Sequence, residues 1–373
     1  MVATILFKQL TQAPSRSLLF SATKHAICNN RTQTATIPTL LHLLHTTSLR
    51  FTTTKMTPRM MDVGINLTDS MFRGVYRGTR HHADDLAQVL RRSRNAGVDR
   101  LIVTAGTLKM CRQALDLVRD DDSMFVTIGC HPRNAAEFDK FRGGPDTYVK
   151  AQKAFLLDPA NKTKIVAIGE CGLDYDRLFF CPKETQLKHF HRHFELAEMT
   201  GLPMFLHDRN TGGDFAKIIT ENRSRFKDGV VHSFTGTQEE LKTYIDLGLY
   251  ISLNGCSLKT EENLKAAAQV PLDRLMIETD GPWCEIRPTH ASFKHLKMTK
   301  EQQDMYKPRA VHKERFEFGN MVKGRNEPCT IGQVLLVLSE LYGMDPDELA
   351  EICYQNSLHV FFPEELAESE EKV

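Results

Sequence analysis

From Met61 onward the chain alternates short apolar runs with longer stretches in which apolar residues recur at helical spacing. Several of the short runs are rich in β-branched residues and do not alternate with polar ones, which is typical of strands buried on both faces. We predict eight such strands, over Met61–Leu67, Arg100–Thr104, Phe125–Gly129, Ile165–Gly169, Pro203–His207, Val230–Ser233, Leu249–Leu253 and Leu275–Thr279.

Stretches with helical spacing fill the segments between these strands. The predicted helices are Asp84–Ala96, Lys109–Arg119, Pro145–Leu157, Lys183–Thr200, Gly213–Arg225, Gln238–Leu247 and Glu261–Ala268, with a last pair over Thr330–Tyr342 and Asp345–His359. Eight strand–helix units predict a (β/α)₈ TIM barrel over residues 61–363. An open doubly wound sheet is the competing architecture, but it normally carries a glycine-rich phosphate loop after its first strand, and this sequence has none.

Residues 1–60 do not follow this pattern. They are rich in Ser, Thr and Leu, and they contain seven Lys or Arg but no Asp or Glu. This composition is typical of a mitochondrial transit peptide, and an unstructured extension or a later start of translation fits it equally well. We expect a mitochondrial location, or a cytoplasmic or nuclear one if translation starts near Met56–Met61. The acidic residues 364–373 are predicted to form a C-terminal tail.

Charge and cysteine usage narrow the possible functions. The whole chain has a net charge of +1, so the residues after 60 are acidic as a group. This argues against a protein that coats DNA through charge alone. The 9 cysteines show no Cys-x-x-Cys spacing, which fits a reducing compartment better than a disulfide framework. No apolar run approaches the ~20 residues of a membrane span, so we expect no membrane partner.

Side chains that commonly bind metals follow five of the predicted strands. Glu170, His207, His232 and Asp280 each end an apolar run, and His131 closely follows another. A single histidine in such a place is more often a hydrogen-bonded core or surface residue than a ligand. In a closed barrel, however, the carboxyl ends of all strands meet at one mouth, so the five coincidences predict a common site there.

Two imidazoles and two carboxylates form a suitable ligand set for Zn²⁺, Mn²⁺ or Mg²⁺. An ion held by Glu170, His207, His232 and Asp280 would polarise a phosphoryl oxygen and generate a hydroxide nucleophile near neutral pH. Cysteines near the predicted mouth have no evident histidine base, so a structural role is favoured for them over a nucleophilic one.

Six motifs follow one another along the strand ends and the last loop. They are Gly129-Cys130-His131-Pro132, Gly169-Glu170-Cys171-Gly172-Leu173-Asp174, Phe205-Leu206-His207-Asp208-Arg209, Val231-His232-Ser233-Phe234-Thr235-Gly236, Glu278-Thr279-Asp280-Gly281-Pro282 and Arg325-Asn326-Glu327-Pro328. In content and order they resemble the TatD family, over essentially all of residues 61–363. The resemblance implies an amidohydrolase-like barrel and a divalent-metal deoxyribonuclease, commonly a 3′-to-5′ exonuclease, used in DNA repair or degradation. Its partner would be DNA, mainly ends or single strands.

The resemblance also implies a role for each residue at the mouth. Glu170 resembles the carboxylate that bridges two metals, and His207 and His232 resemble ligands of one of them. Asp280 resembles a ligand that also acts as general base on the attacking water. His131 resembles a catalytic residue behind the ligands or a donor to the phosphate.

One stretch departs from the family pattern. Many relatives begin with Asp-x-His-x-His, whose histidines bind a second metal, whereas this chain has Asp62-Val63-Gly64-Ile65-Asn66. Gly64 offers no ligand atom, and Asn66 is a poor ligand for a transition metal. We therefore expect one tightly held divalent cation and a weaker second site that shares Glu170 and suits Mg²⁺ or Mn²⁺.

Two arginines are candidates for substrate binding. Arg209, two residues after His207, could contact a phosphate as a fork donor or form a salt bridge with a neighbouring loop. Arg325 could contact phosphate as well, or its motif could lock the loop through Asn326 and Glu327. Among the aromatic residues, Trp283 and Phe234 could stack a base, although core packing is the more ordinary role for Phe234.

Two other functions remain compatible with the sequence. The first is a metal-dependent deacylase or amidohydrolase acting on aminoacylated RNA, since the same barrel and metals can attack a carbonyl. The second is a non-catalytic binding protein with the same fold, a reading motivated by the missing histidine pair. The intact set of Glu170, His207, His232 and Asp280 argues against this second alternative.

Overall fold

The computed structural model describes residues 57–370, so the transit-peptide prediction falls almost wholly outside the described residues. Eight parallel strands form one sheet whose spatial order follows the sequence. The strands are β1 (Met60–Ile65), β2 (Val98–Val103), β3 (Met124–Ile128), β4 (Ile165–Asp174), β5 (Met204–Arg209), β6 (Gly229–His232), β7 (Tyr250–Leu253) and β8 (Leu275–Ile277).

The sheet closes on itself between the first and last strands. Just beyond the end of β8, the Asp280 amide donates to the Gly64 carbonyl of β1 at 2.8 Å, and the Asn66 amide donates to the Gly281 carbonyl at 2.8 Å. These bonds join the two edges that an open sheet would leave unpaired. The predicted (β/α)₈ barrel is therefore confirmed.

Helices connect successive strands around the barrel. Thr107, Thr237 and Thr260 accept hydrogen bonds from the first turns of α2 (Leu108–Val118), α7 (Gln238–Asp246) and α8 (Glu261–Ala267), which sets where those helices begin. None of the described helices is long and apolar enough to cross a membrane. The helices are α1 (Leu86–Asn95), α2 (Leu108–Val118), α3 (Ala136–Lys140), α4 (Gly144–Leu157), α5 (Lys183–Thr200), α6 (Asp214–Asn222), α7 (Gln238–Asp246), α8 (Glu261–Ala267), α9 (Lys300–Tyr306), α10 (Ile331–Tyr342), α11 (Pro346–Phe361) and α12 (Pro363–Glu370).

Apolar side chains fill the interior of the barrel. Inward-facing residues of the strands form one buried cluster with the end of α11. There the Phe362 ring lies 4.5 Å from the ring of Phe125, near the start of β3. The amino-terminal end of the barrel is thus closed by packing, and the polar residues gather at the opposite, carboxyl end, as is usual for this fold.

Two strand boundaries near the mouth differ from the prediction. β4 continues past Gly169 to Asp174, because residues 171–174 pair with residues 206–209 of β5. β8 ends at Ile277, before the predicted Thr279, whose amide bonds to a side chain instead of a neighbouring strand. The mouth is therefore deeper on the β4 side than the sequence predicted.

The segments after β8 and α11 contain more regular structure than their polarity predicted. Between residues 282 and 326, helix α9 is followed by two short parallel strands, Ala310–Val311 and Met321–Val322. The segment 364–373, predicted as an acidic tail, is helical as far as Glu370. Its Glu365 carboxylate accepts two hydrogen bonds from Arg100, at 2.9 and 2.8 Å, which holds this helix against the barrel.

Candidate metal centre

Four predicted ligands meet at the carboxyl end of the barrel. Glu170 lies within β4, His207 within β5, and His232 is the last residue of β6. Asp280 follows β8 and is held against β1 by its backbone hydrogen bond to Gly64. Glu170, His207 and His232 are buried, and Asp280 is partly buried.

The Glu170 carboxylate is the centre of this group. Its Oε1 lies 2.9 Å from His207 Nδ1, 2.8 Å from His232 Nε2 and 3.3 Å from His131 Nε2. His207 Nδ1 and His232 Nε2 lie 3.1 Å apart. Neighbouring ligands around one ion, each bonded at about 2.1 Å, are separated by roughly 3.0–3.4 Å, so these spacings are close to those of a ligand shell.

Several buried polar atoms lie behind the ring nitrogens that face Glu170. His207 Nε2, His232 Nδ1 and both oxygens of Asp174 make no hydrogen bond within the described part of the chain. The carboxylates nearest to the two nitrogens lie beyond hydrogen-bond geometry: His207 Nε2 lies 3.5 Å from Asp174 Oδ2, and His232 Nδ1 lies 3.5 Å from Glu278 Oε1. These two nitrogens lie on the ring sides away from Glu170, so they do not face the same ion. Asp174 and Glu278 lie beside them and would orient the imidazoles from behind.

The charges at this centre reinforce one another. Burial alone would raise the pKa of the Glu170 carboxyl, but His131, His232 and His207 outweigh burial and hold its pKa well below the usual range. Burial alone would lower the pKa of His232, yet the carboxylates of Glu170 and Glu278 raise it well above the usual value. The carboxylates thus favour positive charge on the imidazoles, and the same field would favour a divalent cation in place of those protons.

Asp280 stands at the more open side of the centre. Its Oδ1 accepts a hydrogen bond from Asn66 Nδ2 at 2.8 Å, and its Oδ2 lies 3.3 Å from the Cys284 thiol. Burial raises the pKa of Asp280 to about 6. A carboxyl group with that pKa can take up and release a proton near neutral pH, which is the property a general base needs.

His131 is oriented as a donor and not as a ligand. Its Nδ1 accepts a hydrogen bond from the Arg133 amide at 3.0 Å, so the neutral ring carries its proton on Nε2, the atom facing Glu170. Burial lowers the pKa of His131 to about 3, which keeps the ring neutral. Although its Nε2 lies close enough to join a metal-binding group with Glu170 and His207, the protonated nitrogen is arranged to donate.

The departure at Gly64 and Asn66 has a structural explanation. A Cβ on Gly64 would lie 2.6 Å from Glu278 Oε2, so the buried Glu278 side chain fills the space a longer residue would need. Asn66 donates to Asp280 through its amide and accepts a hydrogen bond from the Thr104 hydroxyl at 2.8 Å. Neither position therefore provides a free ligand for a second cation.

Two carboxylates at the centre, Glu278 and Asp174, were not among the predicted site residues. Glu278 is fully buried beside His232, where Asn254 Nδ2 donates to it at 2.9 Å and the Ser252 hydroxyl also donates. Asp174 faces His207 from the far end of β4. Each lies next to apolar residues and shares a sequence motif with a predicted ligand: Glu278 with Asp280, and Asp174 with Glu170.

Arg209 remains available for a substrate. It is half-buried, its Nε makes no hydrogen bond, and no carboxylate within residues 57–370 forms an ion pair with it. The salt bridge considered as the alternative for this side chain is not found in that part of the chain. Arg209 follows His207 by two residues on β5, so both side chains lie on the same face of that strand, beside the candidate metal centre.

Arg325 does not have the predicted role. The residue is only 1% exposed, and its two terminal nitrogens bond to the Asp85 carboxylate at 2.7 and 2.6 Å. One of them also donates to Glu327 at 2.9 Å. The prediction that Arg325 contacts a substrate phosphate is therefore wrong, because these donors already bind buried carboxylates. Locking of the loop through this motif, the other role considered, agrees with the structure.

The remaining candidate residues, two cysteines and two aromatic residues, differ in how far they are buried. Cys130 and Cys171 are buried, and burial raises the pKa of both thiols, which disfavours a nucleophilic role. Phe234 belongs to the apolar core. Trp283, in contrast, is 53% exposed and lies three residues beyond Asp280.

Known proteins share this sequence and fold. Residues 61–362 match the family model described as TatD related DNase. The chain is 39% identical, over 81% of its length and 95% of the relative, to "Deoxyribonuclease Tat-D" from Schizosaccharomyces pombe. It is 32% identical, over 81% of its length and 99% of the relative, to "3'-5' ssDNA/RNA exonuclease TatD" from Erwinia tasmaniensis.

A solved structure agrees with the sequence comparison. The hydrolase TatD family protein from Entamoeba histolytica aligns with a TM-score of 0.74 and 33% identity, over 83% of this chain and 99% of that one. The similarity covers every barrel strand and every residue of the candidate centre. The motifs, the barrel and these comparisons together show that the chain belongs to the TatD related DNase family of hydrolases.

Proposed function

We propose that this chain is a divalent-metal-dependent deoxyribonuclease that hydrolyses DNA phosphodiester bonds. The observation that carries the proposal is the Glu170 carboxylate held within 2.9 Å of both His207 and His232, at the open end of the barrel. The names of the fission yeast and Erwinia relatives support DNA as substrate and removal of nucleotides in the 3′-to-5′ direction. Ends and single strands are the expected substrates, in DNA repair or degradation.

Glu170, His207 and His232 would hold the tight cation. Two imidazole nitrogens and a carboxylate oxygen suit Zn²⁺ or Mn²⁺, and Mg²⁺ is compatible when water completes its shell. When bound, such a cation activates water and polarises the phosphate. A weaker second cation would rely on oxygens of Glu170 and Asp280, because Gly64 and Asn66 provide no further ligand.

The other residues of the mouth would orient the substrate and move protons. Asp280 would accept the proton of the attacking water, while Asn66 holds one of its oxygens in place. His131 would donate from Nε2 to a phosphate oxygen, since its Nδ1 is already an acceptor. The guanidinium of Arg209, which forms no ion pair with a carboxylate of residues 57–370, would bind another phosphate oxygen.

The proposal is tested on metal-stripped protein reloaded with Mg²⁺, Mn²⁺ or Zn²⁺. The substrate is a single-stranded oligonucleotide labelled at its 5′ end, which should give a ladder of progressively shorter products. Glu170→Gln and His207→Ala should each lower the rate by about two orders of magnitude or more, because each removes a ligand. Glu301→Gln, a change at an exposed glutamate on α9, is the matched control and should leave the rate unchanged.

Two outcomes would contradict the proposal. One is the absence of DNA hydrolysis with every metal, combined with hydrolysis of an aminoacylated RNA in a parallel assay, which would favour the deacylase alternative. The other is a Glu170→Gln variant with unchanged metal content and a rate within a few-fold of the parent. Circular dichroism melts of each variant would show that the fold is intact.

A further inference from the structure

Two loops beside the metal centre enclose a groove. Residues 69–77, after β1, face residues 283–324, after β8, across a cavity of about 640 Å³. Both walls begin next to the proposed catalytic residues: the Asp69 amide donates to the Asn66 carbonyl at 2.9 Å, and the Trp283 amide donates to the Asp280 carbonyl at 3.1 Å. The two walls of this nucleotide groove, as we name it, thus begin within three residues of Asn66 and Asp280.

Three basic and two acidic side chains line the nucleotide groove. Arg77, Lys313 and Lys323 line it, and within residues 57–370 neither Arg77 nor Lys323 forms an ion pair with an acid. The two acids are Asp69 and Glu314. Asp69 accepts a hydrogen bond from a backbone amide of the next turn at 2.8 Å, and Glu314 lies 3.9 Å from Lys313. The charged side chains that line the groove thus carry a net positive charge, in a chain that is acidic after residue 60.

Trp283 supplies an aromatic surface at the same place. Its side chain is 53% exposed and lines the groove. The backbone on either side is held in position: Asp280 and Cys284 adopt left-handed conformations with φ of 52° and 56°, and the Pro282 carbonyl accepts from the Asn326 amide at 2.9 Å. An exposed indole on a constrained backbone, beside basic side chains, matches the way proteins bind unpaired bases.

The buried Arg325 network holds the two walls together. Arg325 donates to the Met71 carbonyl in the first wall at 3.0 Å and to Asp85 at the start of α1. Its neighbour Glu327 accepts from Arg92 of α1 at 2.8 Å. The groove is consequently preformed, and a ligand would not have to order its walls on binding.

We propose that the nucleotide groove binds the single strand next to the scissile phosphate, with Trp283 stacked on a base. Arg77, Lys313 and Lys323 contact the phosphates of the same strand, and stacking favours single strands because the base must be unpaired. This inference rests on the proposed nuclease function. It adds where the single strand lies on the protein and which residues favour a single strand over a duplex.

The fluorescence of Trp283 provides a direct test, because it is the only tryptophan of the chain. Full-length protein carrying Glu170→Gln, which suppresses hydrolysis, is titrated with a single-stranded oligonucleotide, the same strand with abasic sites, and a blunt duplex. The single strand should quench the emission, and the other two should quench it much less. Replacing Lys313 and Lys323 by alanine should weaken binding and lower the salt dependence by about one unit per lysine.

Kinetics separate failure of this inference from failure of the nuclease proposal. Trp283→Ala should raise KM for the oligonucleotide about tenfold, and should change hydrolysis of the small diester bis(p-nitrophenyl) phosphate less. Phe318→Ala is the matched control, since Phe318 is 62% exposed on the same segment but does not line the groove. It should leave both substrates unaffected.

The remaining outcomes contradict either the groove inference or the nuclease proposal. If the parent protein hydrolyses oligonucleotides but the single strand does not quench Trp283, or a duplex quenches it equally, the groove inference is overturned. An unchanged KM in Trp283→Ala would overturn it as well. If the parent hydrolyses neither the oligonucleotide nor the small diester, the nuclease proposal fails instead, and quenching would show that the groove still binds the strand.

Discussion

Single residues at the mouth combine deep burial with charge, and Asp62 is a clear case. It is fully buried in β1, where its Oδ1 accepts from the Thr279 amide at 2.9 Å and from the Gly64 amide at 3.3 Å. The Thr279 hydroxyl also bonds to this carboxyl group. Burial raises the pKa of Asp62 to about 8, so the group holds a proton at pH values where an exposed aspartate is ionised.

This proton makes stability depend on pH. The pKa of Asp62 is about 8 in the folded chain and 3.8 is its ordinary value, so the unfolded chain loses the proton first as the pH rises. The stabilisation is fully present below pH 3.8 and is lost as the pH rises towards 8. In urea denaturation with a chelator present, the parent's free energy of unfolding should fall between pH 5 and 8 by up to about 1.4 kcal/mol per pH unit more than that of Asp62→Asn.

Asparagine is the appropriate replacement because it keeps an acceptor for the Thr279 amide and a donor for its hydroxyl. Asp122→Asn, at a fully exposed side chain, is the control and should reproduce the pH slope of the parent. Equal slopes for the parent and Asp62→Asn would show that Asp62 is ionised in the folded protein.

At the scale of elements, ion pairs connect segments that are far apart in the sequence. Arg325, after the long segment that follows β8, pairs with Asp85 at the start of α1, and Arg92 of α1 pairs with Glu327. The side chains of Arg325, Asp85 and Glu327 are completely buried. These pairs tie the loop after β1, helix α1 and the segment before α10 into one unit.

Breaking this network should lower the free energy of unfolding more than it lowers the rate of DNA hydrolysis. Arg325→Met leaves Asp85 without its bidentate partner, and removal of one member of a buried pair costs about 3–5 kcal/mol. We expect a value near the lower end, because Arg92 stays paired with Glu327. Chemical denaturation measures the change, and Arg209→Met provides the contrast: it should keep its stability and lose DNA hydrolysis.

The reverse result would restore the role first predicted for Arg325. If Arg325→Met kept the stability of the parent and only weakened DNA binding, the buried ion pairs would contribute little. Arg325 would then have to be considered a phosphate contact after all.

For the molecule as a whole, the folded unit begins slightly before the first strand. Arg59 donates to Glu351 of α11 at 3.0 and 2.7 Å, and its guanidinium lies 4.2 Å from the centre of the Tyr354 ring. The first strand begins at Met60, which is buried. The barrel thus includes the last residues of the segment that the sequence assigned to an extension.

A chain that starts at Met56 should therefore unfold at the same temperature as the full chain and hydrolyse DNA at the same rate. One that starts at Met61 loses buried Met60 and the Arg59 pair, and should lose about 2 kcal/mol or more of stability. Calorimetry and the nuclease assay measure both. A full-length chain clearly more stable than the Met56 form would contradict this boundary.

Location is a separate proposal, because it concerns residues outside the described part of the chain. We propose that residues 1–60 direct the protein to mitochondria, on the basis of their composition. A fusion of these residues to a fluorescent reporter should give a mitochondrial signal. A diffuse signal would contradict the proposal and favour a start near Met56.

The sequence by itself determined the barrel and which side chains meet at its carboxyl end. Buried β-branched runs separated by helical spacing leave few alternatives to parallel strands covered by helices. Because parallel strands of a closed barrel end at one mouth, Glu170, His207, His232 and Asp280 could be placed together from their positions after apolar runs. This inference needed no knowledge of side-chain orientation.

Only the tertiary structure decided which partner each polar side chain meets. Arg325 and Asp85 are 240 residues apart in sequence, and no local pattern shows that they form a buried pair. The space that Glu278 occupies beside Gly64 likewise depends on contact between β1 and the end of β8. Periodicity is a local property that selects strands and helices, whereas hydrogen bonds, pKa shifts and the nucleotide groove depend on contacts that exist only after the barrel closes.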